Sequence, residues 1–379
     1  MVDPKKILIL TADAGFGHRS AANAVNAAIQ AMCGDRVITK VANPLNDRRV
    51  PKALRRTQND YDRLVQEMPK LVKFGFSASD STVPITVVES TLAIVLFSTM
   101  RDLLRSFQPD AIVTTYPLYL SPLSAVFSFE RVKVPVLTVV TDLATVHSIW
   151  FNDVSDFCLV ATQAVKDLAL KAGMSLEKIR ITGTPVSPIL AEEKPERASL
   201  RYRLGWQPDL VTVLAVGSKR VRHLIGTLKV LNHSGMKLQF ALVAGGDDHL
   251  YQQFEQIDWH VPVYKYNYVT NVPELMQASD CLISKAGGLI LPEALACGLP
   301  ILLVDVLPGQ EAGNAQFVIE GGAGELAQTP LETLEILFHW LDQGGKLLAQ
   351  RAENAHRLGR PRAAFDIAEL VWAAVKSGD

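Results

Sequence analysis

Cysteine is scarce in this chain. There are four in 379 residues, Cys33, Cys158, Cys281 and Cys297, and none sits in a C-x-x-C pair. That argues against a disulfide framework or a zinc site and fits reduced thiols in a cytosol. An excess of charge of either sign is also missing. Lys and Arg number 38, Asp and Glu 39, for a net charge of −1, which argues against a bulk nucleic-acid binder. Long apolar runs are missing as well. Lys5 and Lys6 precede only Ile7-Leu8-Ile9-Leu10, too short for the core of a signal peptide, so no leader is expected. The most apolar long stretch, Val83 to Phe107, carries Glu89 and five Ser or Thr residues between Thr86 and Thr99. It is too polar for a membrane span. A buried core helix is expected there, with a helix lying in a lipid interface as the second choice. No repeat of short period and no low-complexity tract is present.

What is present is ample apolar material, 48% of residues, over a length that suits two domains. Short buried-strand runs alternate with helical stretches. Strands are expected at Ile7–Leu10, Asp110–Thr115, Val134–Val140, Phe157–Ala161, Ile179–Thr182, Leu210–Val216 and Phe240–Ala244. Such alternation predicts parallel α/β sheets. Two prolines in Gly183-Thr184-Pro185-Val186-Ser187-Pro188, and a third, Pro195, inside the charged run Glu192 to Arg201, mark a domain boundary.

The stretch from Ser284 to Asn314 reads S-K-A-G-G-L-I-L-P-E-A-L-A-C-G-L-P-I-L-L-V-D-V-L-P-G-Q-E-A-G-N. A buried strand over Asp280–Ile283 runs into Gly287-Gly288, then a helix over Leu289–Cys297 closed by Gly298, then a second strand, Pro300–Val304. Gly287 and Gly288 let backbone approach a ligand, and the free N–H groups of the helix start favour an anion. A diphosphate fits there. Glu293, about one and a half turns into the helix, suits a ribose diol beside that diphosphate. Gln310 and Glu311 at the second strand end offer an amide and a carboxylate to sugar hydroxyls. A Gly-Gly pair at a strand–helix turn is also ordinary packing chemistry.

The first strand ends in Thr11-Ala12-Asp13-Ala14-Gly15-Phe16-Gly17-His18-Arg19-Ser20, before the alanine-rich helix Ala21–Met32. Ser20 stands where a third glycine would complete G-x-G-x-x-G, so a dinucleotide site is not supported. His18 is either a general base or a residue that only caps the helix.

Taken as an ordered string, Ser284–Asn314 resembles the signature of the monogalactosyldiacylglycerol synthase family. It is more distantly similar to the transferase that adds N-acetylglucosamine to a lipid-linked peptidoglycan precursor. Gly15-Phe16-Gly17-His18 matches the glycine–x–glycine–histidine turn of the same family, with Phe16 where glycine is common. The resemblance implies a GT-B fold, two doubly wound α/β domains facing across a cleft. An N-terminal acceptor-side domain is expected over 1–185, a nucleotide-sugar domain over 200–360, and a last helix over 361–379 packed back on the first domain.

The expected activity is an inverting transfer of a hexose from UDP-glucose or UDP-galactose to a lipid, diacylglycerol first. His18 is the expected base. The donor is expected to meet Ser218, Arg220, Tyr268, Val269, Gly287, Gly288, Leu289, Glu293, Gln310 and Glu311. Around Ser218 the chain departs from its relatives, with Lys219 and Arg220 in place of further glycine, so Arg220 is expected to supply charge instead. The acceptor side is expected to include Gly15, Gly17, His147 and Trp150. Trp150 is read as a sugar platform, a lipid-entrance wall or plain packing, and His147 as a second base. No metal or other cofactor is expected, because no Asp-x-Asp motif stands at a strand end. Arg48, Arg49, Lys52, Arg55 and Arg56 form a basic cluster, read as a solvated face or as a contact for anionic lipid headgroups. The expected location is cytoplasmic, with peripheral association at the inner face of the cell membrane. Competing readings are transfer of N-acetylglucosamine to another lipid-linked acceptor, a UDP-sugar epimerase on the same fold, and a nucleotide-sugar-binding module without catalysis.

Overall fold

Buried β-branched and leucine runs, each bounded by a turn, build two parallel sheets. A computed structural model describes residues 3–13, 17–52, 55, 85–193, 195–218, 221, 223–307 and 310–376. The chain divides into two units, one of Met1–Asp142, Val146–Pro185 and Arg362–Asp379, the other of Leu143–Thr145 and Val186–Pro361.

In the first unit the strands are β1 (Lys5–Leu10), β2 (Val37–Ala42), β3 (Ala111–Thr114), β4 (Val136–Val139), β5 (Phe157–Val160) and β6 (Ile179–Ile181). They pair in the order β2-β1-β3-β4-β5-β6, all parallel. β1, β3 and β4 are buried on both faces, as parallel strands covered by helices must be. The chain reverses its direction of travel across the sheet between β1 and β3, and a ligand crevice forms at such a switch point.

Helix α1 (Gly17–Cys33) buries Ala21, Ala22, Val25, Ala28 and Ile29, a stripe at helical spacing. Against that stripe lies the last described helix of the chain, bearing Ala364, Ile367, Ala368, Val371 and Val375 in the same core. Small residues on both faces let the two helices approach closely. Helix α2 (Ile85–Phe107) buries Leu92, Leu96, Met100 and Leu104 against α3 (Leu120–Glu130), so it is a core helix. Among the described residues no helix is long and apolar enough to cross a membrane. A 3₁₀ turn, Pro117–Tyr119, leads directly into α3. α4 is Gln163–Lys171.

In the second unit α5 (Arg197–Leu204) precedes β7 (Val211–Val216), α6 (Leu224–Asn232), β8 (Leu238–Val243), α7 (Asp248–Gln256), β9 (Val263–Tyr266) and α8 (Val272–Ala278). Then come β10 (Cys281–Lys285), α9 (Ile290–Cys297), β11 (Ile301–Asp305), α10 (Gln310–Glu320) and β12 (Gly324–Leu326). The sheet order is β12-β11-β10-β7-β8-β9, all parallel, with its switch point between β7 and β10. That is the dinucleotide-fold order counted within the unit. Gly298 caps α9 in the left-handed region at φ 69°, the conformation a glycine there was expected to supply. α11 (Pro330–Leu358) is broken at Asp342–Gly345, where Gln343, Gly344 and Gly345 all have positive φ. With α12 (Ala363–Lys376) the tail is therefore three helical pieces.

Candidate active site

His18 lies in the first turn of α1, at the switch point between β1 and β3. Its Nδ1 is 2.7 Å from the carbonyl oxygen of Thr115, just past β3, and Thr141 Oγ1 is 3.3 Å from the same nitrogen. A carbonyl can only accept, so Nδ1 carries the proton and the lone pair is left on Nε2. Thr115 Oγ1 donates to Thr11 Oγ1 at 2.9 Å and lies 3.0 Å from the His18 carbonyl, fixing the turn against β1. Burial pushes the imidazole down to about 4, partly opposed by the Thr115 carbonyl. The ring is therefore neutral throughout the physiological range.

Rings enclose the imidazole. Tyr116 meets it edge-on at 5.1 Å between centroids, and Trp150 lies tilted at 6.0 Å. Trp150 is only 3% exposed and packs with Val140, Cys158 and Val160. It cannot serve as the exposed sugar platform considered from the sequence; it is a wall behind His18. His147 opens the short 3₁₀ turn Ser148–Trp150, and its Nδ1 accepts the Ile149 N–H at 3.2 Å. That lone pair is committed to a cap, which removes the basis for a second base in this conformation. Gly17 begins α1, with open space where a side chain would stand. Gly15 lies outside the described residues.

Beside His18, Asp13 accepts from Asn43 Nδ2 at 2.8 Å, Asn46 Nδ2 at 3.1 Å and Arg19 Nε at 2.8 Å. Burial would raise this carboxyl, but the bonds from Asn43, Arg19 and Asn46 outweigh it and hold the group below its usual range. Tyr119, fully buried, donates to Asn43 Oδ1 at 2.7 Å, and its own ionisation is pushed well up by burial. Nothing in the spacing of these residues announces the network; it forms because three strand ends meet.

In the second unit the turn Ala286–Leu289 leaves β10 at the switch point beside β7. Leu289 is the N-cap of α9 and offers no side-chain bond; Leu291 N–H is bonded to the Gly287 carbonyl at 3.4 Å, Glu293 N–H to the Leu289 carbonyl at 3.3 Å, and Pro292 has none, so the N–H groups of Gly288, Leu289 and Ile290 are the ones left for a ligand. Neither Gly287 nor Gly288 has a positive φ. A Cβ on Gly287 would stand 3.3 Å from Lys285 Nζ, a tight contact that a small shift of that side-chain tip would ease. Lys285 was not singled out by the sequence, although it stands inside the quoted stretch. Its ammonium binds Glu311 Oε1, and Glu311 Oε2 accepts the Leu307 N–H at 3.1 Å. Glu311 is thus held from two sides. Glu293 is buried in α9 without a hydrogen bond or ion pair to a described residue, and burial alone pushes it up to about 7.

Ser284 Oγ donates to the Val216 carbonyl at 3.2 Å, tying β10 to β7 just before Gly217 and Ser218. Tyr268 and Val269 follow the edge strand β9, and Tyr268 is 63% exposed beside Gly246. No described contact joins them to the Gly287 turn. Arg220 and the side chain of Gln310 lie outside the described residues. Of the basic cluster, Arg49 is spent on Asp47 and Asp102, at 2.9 and 2.6 Å, which favours the solvated-face reading for that residue; Arg56 lies outside the described residues. No group of three or more metal-ligating side chains occurs among the described residues.

Two doubly wound units, with a partly buried histidine at one switch point and a glycine turn at the other, have the GT-B architecture. Residues 18–186 match the family model "Monogalactosyldiacylglycerol (MGDG) synthase", and residues 211–365 match "Glycosyltransferase family 28 C-terminal domain". The probable monogalactosyldiacylglycerol synthase of Glycine max is 35% identical over 97% of this chain and 72% of its own length. The chain belongs to the monogalactosyldiacylglycerol synthase family. Among solved structures, MurG of Acinetobacter baumannii superposes with a TM-score of 0.64 at 15% identity, over 98% of this chain and all of that one. A putative UDP-N-acetylglucosamine 2-epimerase from Listeria monocytogenes gives 0.64 at 13%, over 99% and 98%. At such identities these two share the fold alone.

Proposed function

We propose that this chain transfers a hexose, galactose by the names its relatives carry, from UDP-hexose to diacylglycerol with inversion at the anomeric carbon. The observation that carries the reading is the 2.7 Å contact of His18 Nδ1 with the Thr115 carbonyl, which sets the tautomer of the ring. In a chain of this family, its Nδ1–H is tied to Thr115 and its Nε2 lone pair is the only basic atom the ring has to offer.

In this reading the diacylglycerol hydroxyl loses its proton to Nε2 while its oxygen forms the bond to the sugar's anomeric carbon. The bond from that carbon to the diphosphate oxygen breaks on the opposite face, and UDP leaves with the electron pair. The N–H groups of Gly288, Leu289 and Ile290 take up the developing charge without reorganising. Glu293 faces the ribose, and Gln310 and Glu311 read the hexose. A base as weak as this imidazole stays unprotonated at rest and takes the proton as the C–O bond forms and the hydroxyl becomes acidic. No metal is required in this scheme.

His18→Ala tests it. With UDP-galactose, diacylglycerol vesicles and a chelator present, wild type is expected to form galactolipid, read by mass. The variant should keep its affinity for UDP and lose turnover by about 100-fold or more. Undiminished turnover in the variant, or no transfer by wild type until magnesium is supplied, would contradict the scheme.

A further inference from the structure

We propose that Lys285 is a donor-binding cation whose ammonium meets the diphosphate of the sugar nucleotide. This deepens the reading above and rests on it. The geometry starts in the sheet. β10 pairs with β11 in simple register up to Ser284↔Leu303, then shifts so that Lys285 faces Asp305. A register shift at a strand end re-aims the side chain that follows it. Here it sends Lys285 back over its own turn. Its Nζ comes within 3.3 Å of the place a Cβ on Gly287 would take, so the ammonium lies directly over that turn.

An ammonium has three N–H donors. One is taken by Glu311, and no other acceptor for Lys285 is present among the described residues. The side chain is 18% exposed and Glu311 13%, so the pair is sheltered from bulk water but still reachable. Two donors therefore remain over the turn whose backbone N–H groups await an anion. Glu311 holds the ammonium in place from behind, and it is itself anchored by the Leu307 N–H. The pair ties the end of β10 to the first turn of α10, so the two donor-reading segments share one cation.

The test compares UDP with uridine by calorimetry, alongside steady-state kinetics with UDP-galactose. Lys285→Met keeps the stem and removes the charge. It is expected to weaken UDP at least tenfold and leave uridine unchanged, because uridine has no phosphate. Lys285→Arg should recover part of the loss. Equal loss for UDP and uridine, or no loss for either, overturns the proposal. If Lys285→Met does not fold, Glu311→Gln answers the same question. With the countercharge gone, UDP should bind about threefold tighter or more, and weaker UDP binding overturns the proposal. A wild-type protein that fails to bind UDP overturns the donor reading and this proposal together. A wild type that binds UDP with a Lys285→Met variant that binds it equally well overturns this proposal alone.

Discussion

Glu293 is buried and His18 partly so, and the loss of water moves them in opposite directions. The folded Glu293 keeps its proton up to about 7, whereas its ordinary value is 4.5. Between those values the folded state binds more protons than the unfolded chain, so this residue's contribution to stability falls as pH rises. His18 stays neutral down to about 4 against an ordinary 6.5, so its contribution falls as pH drops through that window. From 4.5 to 6.5 the two slopes oppose one another. Glu293→Gln removes one of them. The melting temperature of this variant, minus that of wild type, is expected to climb as pH goes from 4.5 to 7, measured by thermal scans at several pH values. A difference that stays flat with pH would mean Glu293 is not held protonated by its burial. At this scale the sequence disclosed chemistry by kind, not by orientation. A histidine after two glycines and a glutamate inside the helix were visible as letters. That Trp150 turns inward, that His147 spends its lone pair on Ile149, and that Lys285 doubles back over Gly287 depend on contacts remote in the chain or on a register shift. No local pattern encodes them.

At the scale of elements, strand and helix positions were largely legible, because buried parallel strands are unbroken apolar runs and glycines punctuate their ends. Observed bounds differ from the expected ones by a residue or two, as at β3 and β11. Helix α12 was placed beside the first unit through the family resemblance, and its apolar stripe lies in the same core as the α1 stripe. Ile367 and Val371 are fully buried in that core. Ile367→Ala is expected to cost about 2–5 kcal/mol, as other large-to-small changes in well-packed cores do. Chemical denaturation followed by fluorescence would measure it; a loss below about 0.5 kcal/mol, the range of surface substitutions, would mean the α1–α12 contact is not part of the core.

At the scale of the molecule, the described residues of the first unit include an apolar surface that its core does not use. Ile94 on α2 is 78% exposed and Phe129 on α3 is 68% exposed, with Val132 beyond it. Phe97 packs edge-on against Phe129 at 5.4 Å, and Arg101 lies over Phe97. Arg131 and Lys133 stand exposed at the end of α3. An exposed apolar edge with cations beside it suits a bilayer surface, although Arg101 and Lys133 also face Asp102 and Asp156 at 3.4 and 3.5 Å. This complements the reading of diacylglycerol as acceptor, since that lipid does not leave the membrane. Ile94→Ser with Phe129→Ser is expected to weaken cosedimentation with anionic vesicles several-fold. The same double variant should leave UDP affinity unchanged. Wild-type binding to vesicles by the double variant would assign lipid contact to another surface.

The first unit is not continuous in the chain: it runs to Pro185 and is finished by Arg362–Asp379. During translation, therefore, α1 has emerged and folded long before its partner helix exists. At roughly 5–20 residues per second, the ribosome spends on the order of ten seconds or more making the second unit in between. Throughout that interval the alanine and isoleucine face of α1 has no α12 to cover it. The nascent protein is most exposed to chaperones, or to aggregation, at the very stage when its second sheet is being assembled.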